Sequence, residues 1–182
     1  MVNELKGMVG DGGDALYHIR WKVLRTDWCG IPQTRARVYI IGIRSDSLRK
    51  FFQRPEPFDC QPLTAFLDMD DRVAGKTRYP PSKQTHANKN LRKVLNNLAS
   101  TGIDAKKHPI LVNTVSVSAH YTVNKIGTIT ATLGSNLGFW IPMLNRKVKM
   151  EDIMKLQGFD PERIHKDAVS ERQLGRIMGE RV

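Results

Sequence analysis

Blocks of apolar residues along the chain predict a mixed α/β protein. Residues 19–25 (IRWKVLR) and 38–43 (VYIIGI) are rich in β-branched and aromatic side chains, which favours strands. The segment between them is too short for a helical crossover, so the two strands are predicted to pair antiparallel. Residues 38–43 are apolar on both faces, which is typical of an interior strand in a covered sheet.

Later segments alternate between strand and helix patterns. Residues 109–118 and 127–133 are rich in β-branched side chains and favour strands, which indicates a small, mostly β region in the middle of the chain. Three segments have apolar residues at helical spacing: 91–98, 150–156 and 170–178. Gly102 is predicted to follow the end of the first helix, and Ser170 to cap the last.

The positive charge of the chain is concentrated in one segment. The net charge is +11, and residues 72–125 carry ten lysines and arginines against a single acid, Asp104. Interleaved amide and hydroxyl side chains make this composition typical of a surface that follows phosphates and reaches base edges. The alternative is a basic face that serves solubility. The candidate DNA-binding cations are Arg78, Lys83, Lys89, Arg92 and Lys93.

The cysteine count and the hydropathy pattern exclude several classes of protein. Two cysteines, Cys29 and Cys60, exclude a disulfide framework and a four-cysteine metal site, and no metal ligands are predicted. Reduced cysteines fit an intracellular environment. No stretch is long and apolar enough to cross a bilayer, so a membrane is not a predicted partner.

Three polar side chains precede the apolar strand at 38–43. Gln33, Arg35 and Arg37 are spaced by two, so in a strand that begins early they point to one face. The antiparallel pairing places them at the edge of a sheet, where ligands of α/β proteins gather. They are therefore candidate site residues; the alternative is a loop with ordinary surface arginines.

The segment at 30–44, GIPQTRARVYIIGIR, resembles the eighth conserved motif of the DNA cytosine-5 methyltransferases. Its Gln-x-Arg-x-Arg core falls on Gln33, Arg35 and Arg37. The resemblance implies that Arg37 reaches the carbonyl oxygen of a flipped cytosine and helps to orient the catalytic carboxylate. It also implies that Arg35 and Gln33 organise the site and the displaced nucleotide.

The segment at 146–159, RKVKMEDIMKLQGF, is similar to the ninth motif of the same family. Arg146, Gln157 and the Gly-Phe pair after it occupy matching positions, and Asp152 stands where a glutamate is usual. The resemblance implies structural roles for these side chains, which brace the recognition domain against the sheet. Gln157 is interpreted as a packing residue.

The segment at 170–182, SERQLGRIMGERV, looks like the tenth motif, and the resemblance assigns cofactor contacts to Gly179 and Val182. The TITA stretch, residues 128–131, resembles the one that closes the family's target recognition domain. Its Thr128 and Thr130 are therefore further candidates for DNA contacts.

The resemblance implies an α/β fold that forms the C-terminal portion of an S-adenosylmethionine-dependent methyltransferase sheet, with a small, mostly β target recognition domain. In this interpretation residues 1–62 form a partial catalytic-domain sheet. Residues 63–145 form the target recognition domain, and residues 146–182 are helices that return to the catalytic domain.

Two parts of a complete enzyme have no match in the sequence. In the family, a cysteine thiolate in a Pro-Cys motif attacks carbon 6 of a flipped cytosine in double-stranded DNA, and S-adenosylmethionine methylates carbon 5. Cys60 follows Asp59 and lies after the eighth motif, so it is not the predicted nucleophile, and Cys29 is interpreted as a small buried filler. The glycine-rich cofactor loop is also unmatched.

The chain is therefore predicted to be a truncated or split methyltransferase that binds DNA but is inactive alone. A second polypeptide that carries the early motifs is a predicted partner. The alternative is a non-catalytic DNA-binding or regulatory module derived from this fold. The resemblance places the protein in the nucleus of a eukaryote or the cytoplasm of a bacterium.

Overall fold

The first part of the chain forms an antiparallel strand pair. We describe residues 2–45, 56–71 and 85–180 of a computed structural model. A short helix, α1 (Val2–Lys6), precedes β1 (Tyr17–Arg25) and β2 (Ala36–Arg44). These strands pair antiparallel along their whole length, which confirms the predicted pairing.

The strand pair is not covered as the sequence predicted. It is a sheet of two strands, and its exposed side chains include Trp21, Val23 and Val38, at 55%, 41% and 60% exposure. Val23 and Val38 are direct partners in the register, so these three apolar side chains share one face. The prediction of an interior strand is therefore wrong, because no other strand or helix among the described residues covers this face.

A second sheet has four antiparallel strands in the order β4-β3-β5-β6. The strands are β3 (Ile110–Asn113), β4 (His120–Val123), β5 (Phe139–Ile141) and β6 (Arg146–Lys147). A helix, α2 (Thr85–Ser100), packs on β3 through buried apolar side chains that include Leu91, Val94 and Leu98. The predicted helix is confirmed and continues to earlier residues than its apolar spacing indicated. No helix of the described residues combines the length and apolar character needed to cross a membrane.

The predicted strand at 127–133 is wrong. Helix α3 (Ala131–Ser135) begins within this segment, and the Thr130 hydroxyl caps it by accepting from the Leu133 N–H at 3.3 Å. A threonine that caps a helix satisfies a backbone donor that a strand would pair elsewhere. The predicted strand at 109–118 is confirmed only over Ile110–Asn113.

The main hydrophobic core joins distant parts of the sequence. A 3₁₀ helix (Leu63–Phe66), α4 (Met150–Leu156) and α5 (Glu171–Gly179) supply many of its side chains. The two predicted C-terminal helices are confirmed, including the Ser170 cap. This core continues across the predicted boundary between residues 145 and 146, and the division into domains stays a prediction.

Helices α3 and α5 approach so closely that their backbones touch at glycines. A Cβ atom added at Gly134 or Gly175 would lie closer than 3.0 Å to the backbone of the other residue, and one at Gly179 would meet the Thr130 backbone. Glycine is therefore required at these positions by backbone contact, and the contact fixes the TITA stretch against α5.

Replacing Gly175 with alanine should lower the free energy of unfolding by about 1–3 kcal/mol, because the new methyl group must push the two helices apart. Urea unfolding followed by circular dichroism measures the loss. Gly12→Ala is the matched control, since nothing lies within 4 Å of a Cβ there. Equal stability of the two variants would contradict the close approach.

Candidate functional site

The polar segment that precedes β2 is docked on a segment from the second half of the chain. The Ile126 N–H donates to the Pro32 carbonyl at 2.7 Å, and the Thr34 N–H donates to the Ile126 carbonyl at 2.9 Å. The Thr128 hydroxyl adds a hydrogen bond to the Thr34 carbonyl at 3.1 Å. This pairing connects the Gln33–Arg35 stretch directly to the TITA stretch.

A buried carboxylate reinforces the docking. The side chain of Asp27 is 5% exposed and accepts from Arg25 at 2.7 Å and from the Lys125 ammonium at 2.8 Å. The hydrogen bonds from Arg25 and then from Lys125 hold the pKa of this carboxyl below its ordinary value of 3.8, against the opposite effect of burial. The sequence analysis missed this cluster, because Asp27 and Lys125 are 98 positions apart.

The stability of the protein should fall in acid because of Asp27. A folded-state pKa below 3.8 means that the contribution of this carboxylate is complete above that pH and is lost as the pH falls through the folded value. Asp27→Asn should lower the free energy of unfolding by about 1–2 kcal/mol at neutral pH and flatten this acid dependence. Denaturant titrations between neutral and acid pH test the prediction; an unchanged pH profile would contradict it.

Gln33, Arg35 and Arg37 line one cavity of about 230 Å³. Gln33 is 1% exposed and Arg35 is 5% exposed, whereas Arg37 is exposed at the rim, where its Nη1 donates to the Ala36 carbonyl at 2.8 Å. The strand does not begin early enough to include Gln33 and Arg35, since β2 starts at Ala36. The loop conformation nevertheless brings the three side chains to the same cavity.

The charged groups that line this cavity are cationic. Arg25, Arg35 and Arg37 belong to the lining, and no carboxylate does so among the residues described. Burial and then the charge of Arg37 lower the pKa of the Arg35 guanidinium. Guanidinium groups stay protonated near neutral pH, so the cavity presents positive charge in a partly dehydrated environment.

Two amide side chains of the cavity carry buried nitrogens without partners. Nε2 of Gln33 and Nε2 of Gln157 are buried and have no hydrogen-bond partner among the described residues. Gln157 lies directly after α4 and lines the same cavity as Gln33. The sequence interpretation of Gln157 as a packing residue did not anticipate this position, and only its place within the ninth motif singled it out.

The cysteines do not provide an obvious nucleophile. Cys29 is exposed and lines the cavity, so its interpretation as a buried filler is wrong. Burial raises the pKa of the Cys60 thiol, which lowers the fraction of reactive thiolate at neutral pH. Among the described residues no group of three histidine, cysteine or acidic side chains is arranged to hold a metal ion.

The candidate DNA contacts are distributed over separate elements. Lys89, Arg92 and Lys93 lie on α2 with exposed side chains at helical spacing, so they share one face. Thr128 and Thr130 lie next to the cavity segment and at the α3 cap, as described above. Arg78 and Lys83 lie outside the described residues, and all seven DNA contacts stay predictions.

The candidate cofactor residues lie at the end of α5. Gly179 packs against the Thr130 backbone, and this contact alone explains why a glycine is needed at position 179. Val182 lies outside the described residues. The cofactor contacts of both residues stay predictions.

A buried ion pair connects β6 to α4. Nη1 of Arg146 donates to Asp152 Oδ2 at 2.7 Å, and Nη2 donates to the Asp68 carbonyl at 3.2 Å. The same carboxylate accepts the Lys149 N–H at 2.8 Å, and its side chain is 1% exposed. Nε of Arg146 lies 3.0 Å from the Asp71 carboxylate. The network holds α4 against β6, and the bracing of the recognition domain against the sheet stays a prediction.

Comparisons with known proteins identify the family of the chain. Residues 2–182 match the family model for C-5 cytosine-specific DNA methylases. Type II methyltransferase M.Bsp6I of Bacillus sp. (strain RFL6) is 36% identical over 72 residues, which cover 37% of this chain and 22% of that protein. The solved structure of Entamoeba histolytica methyltransferase EhMeth has a similar fold, with a TM-score of 0.53 at 17% identity over 92% of this chain and 50% of that one. The chain thus spans half of the structural relative.

Proposed function

Because the chain belongs to the C-5 cytosine-specific DNA methylase family, we propose that it is the carboxyl-terminal part of a DNA cytosine-5 methyltransferase. It binds double-stranded DNA, supplies side chains to the pocket of the flipped cytosine, and transfers no methyl group alone. The observation that carries the proposal is the cavity shared by Gln33, Arg35 and Arg37. Within it, residues 63–145 act as the target recognition domain.

The cavity fits the charge that develops during the reaction. Attack at carbon 6 of cytosine spreads negative charge onto the carbonyl oxygen at carbon 2, and a fixed guanidinium stabilises that charge. Arg37 stands at the cavity rim and takes this role, with buried Arg35 and Gln33 behind it. A lysine would replace Arg37 poorly, because its ammonium lacks the planar set of donors.

Three observations support the proposal that catalysis requires residues from outside this chain. Neither cysteine follows a proline, so the family's nucleophile motif is absent from the sequence. The apolar face of β1 and β2 that includes Trp21 and Val38 is exposed, as expected of a surface that contacts more protein. The chain also spans only half of its structural relative.

Members of this family use S-adenosylmethionine, which supplies the methyl group when bound. The described residues alone do not fit it, because the Gly179 surface is filled by the Thr130 backbone and Glu180 is paired with Arg176 at 2.6 Å. No step of the proposed mechanism is therefore assigned to the cofactor in this chain.

Two measurements test the proposed function. The purified chain should bind duplex DNA with an affinity that falls as salt rises, and it should not transfer labelled methyl groups. Coexpression with a polypeptide that carries the early motifs should restore methylation of cytosine. Methylation by the purified chain alone would overturn the proposal.

The second candidate function is a non-catalytic DNA-binding or regulatory module. The charged Glu180 and Arg181 near the chain's end favour it, because the tenth motif usually has small polar residues there. Persistent inactivity after coexpression, with DNA binding intact, would support this module over a split enzyme.

A further inference from the structure

We propose that Gln157 is a second nucleotide-binding amide of the cavity, which donates N–H groups, together with Gln33, to an acceptor oxygen of the bound nucleotide. This inference rests on the proposed function, because the ligand class comes from it. The residue itself is chosen on geometry alone: it lines the same cavity as Gln33 and carries a buried nitrogen without a partner.

The two orphaned amides are unusual in their shared location. Four buried side-chain nitrogens lack a hydrogen-bond partner in the described part of the chain: those of Gln33, Gln157, Trp140 and Arg146. Trp140 belongs to the core between α2 and β3, and the Arg146 nitrogen has a carboxylate 3.0 Å away. A buried N–H without an acceptor costs free energy, so two of them on one cavity point to an acceptor that arrives with the ligand.

Hydrogen bonds of the backbone fix the position of both glutamines in the chain before any ligand binds. The backbone N–H of Gln157 donates to the carbonyls of Ile153 and Met154 at 3.1 and 3.0 Å, which fixes this residue at the end of α4. The Gln33 N–H donates to the Ile31 carbonyl at 2.7 Å, and the Gln33 carbonyl accepts from the Thr26 hydroxyl. A fixed backbone removes one part of the entropy that these residues would otherwise lose when they bind.

A close packing contact connects the two segments. Gly158 has a φ of +82°, and a Cβ atom there would lie 3.2 Å from Cδ1 of Ile31. The turn after α4 therefore rests on the loop that carries Gln33. This contact explains why Gln157, together with Leu156, reaches a cavity whose other lining residues lie between Leu24 and Tyr39.

The charge of the cavity selects an oxygen acceptor. Arg35 and Arg37 are cations, and the described lining residues include no carboxylate. The acceptors of a cytosine nucleotide that carry or gain negative charge are the phosphate oxygens and the carbonyl oxygen of the pyrimidine. Both suit amide and guanidinium donors.

Nuclear magnetic resonance of the full chain tests the assignment. The side-chain ¹⁵N–¹H₂ signals of Gln33 and Gln157 should both move and saturate when deoxycytidine monophosphate is added. Deoxycytidine and deoxyribose 5-phosphate are the two further probes. Movement of the signals with deoxycytidine indicates the base carbonyl, and movement with deoxyribose 5-phosphate indicates the phosphate.

Variants separate ligand binding from packing. Gln157→Leu should weaken nucleotide binding about tenfold, which corresponds to one hydrogen bond to a charged acceptor. Gln157→Glu should weaken it at least as much, since it replaces a donor with a negative charge. Gln61→Leu removes an exposed amide and should change nothing.

Two results would overturn the inference. One is a Gln157 signal that stays fixed in the wild-type chain at saturating nucleotide, a measurement that needs no variant to fold. The other is wild-type affinity in Gln157→Leu, which indicates packing alone. If both signals move but duplex DNA does not bind, the proposed function fails and the amide pair remains. If duplex DNA binds but the two signals stay fixed, the amide pair fails and the proposed function remains.

Discussion

Replacing Arg146 with methionine should lower the free energy of unfolding by about 3–5 kcal/mol, because it leaves the Asp152 carboxylate buried without its charge partner. The carboxylate is 1% exposed, and its hydrogen bonds from backbone N–H groups do not neutralise it. Urea unfolding of the full chain measures the loss. Asp152→Leu should cost less, because the Arg146 guanidinium keeps the Asp71 carboxylate 3.0 Å away.

The surface pair between Arg163 and Asp160 provides the matched control. Their charged atoms are 3.4 Å apart, but the side chains are 86% and 53% exposed. Arg163→Met should therefore change stability by less than about 1 kcal/mol. The double variant Arg146→Met/Asp152→Leu should recover part of the loss, because no unpaired charge remains. An Arg146 variant as stable as the Arg163 variant would show that the buried pair does not brace α4 against β6.

Replacing Arg37 with alanine should reduce the rate of methyl transfer by about 10²–10³-fold in an enzyme completed by coexpression. The proposed guanidinium stabilises charge that appears only after attack on the cytosine, so kcat falls while DNA affinity changes little. Arg37→Lys should recover only part of the rate. Single-turnover methylation and DNA titration measure the two quantities separately.

Lys89→Ala is the matched control on the exposed face of α2. It should weaken DNA binding, reduce the salt slope of binding by about 1, and leave the single-turnover rate at saturating DNA unchanged. Equal losses of rate and affinity in the Arg37 and Lys89 variants would contradict the separate roles proposed for the two side chains.

Local patterns predicted the parts of the fold that depend on neighbouring residues. The apolar spacing at 91–98 predicted α2, and the capping serine predicted α5, because both signals are complete within a few turns. The prediction for residues 127–133 was wrong, since β-branched residues favour a strand while Thr130 caps a helix there. Its contact with α5 depends on Gly175, which is far away in the sequence.

The sequence identified three residues of the candidate site but not how the fold brings them together. The Gln-x-Arg-x-Arg spacing identified Gln33, Arg35 and Arg37, and the structure brings them to one cavity. It does so through a loop, because β2 starts only at Ala36. Gln157 could not be assigned from its own neighbourhood, because a glutamine after a helix has no pattern that distinguishes packing from ligand binding.

The sequence by itself determined the family, the antiparallel pairing of β1 with β2 and the three longer helices, since motifs and periodicity are properties of the chain alone. Only the tertiary structure decided that Asp27 meets Lys125, that Gln157 joins Gln33, and that the β1–β2 face stays exposed. The physical reason is that burial and long-range hydrogen bonds depend on what packs against a segment, which its own residues do not specify.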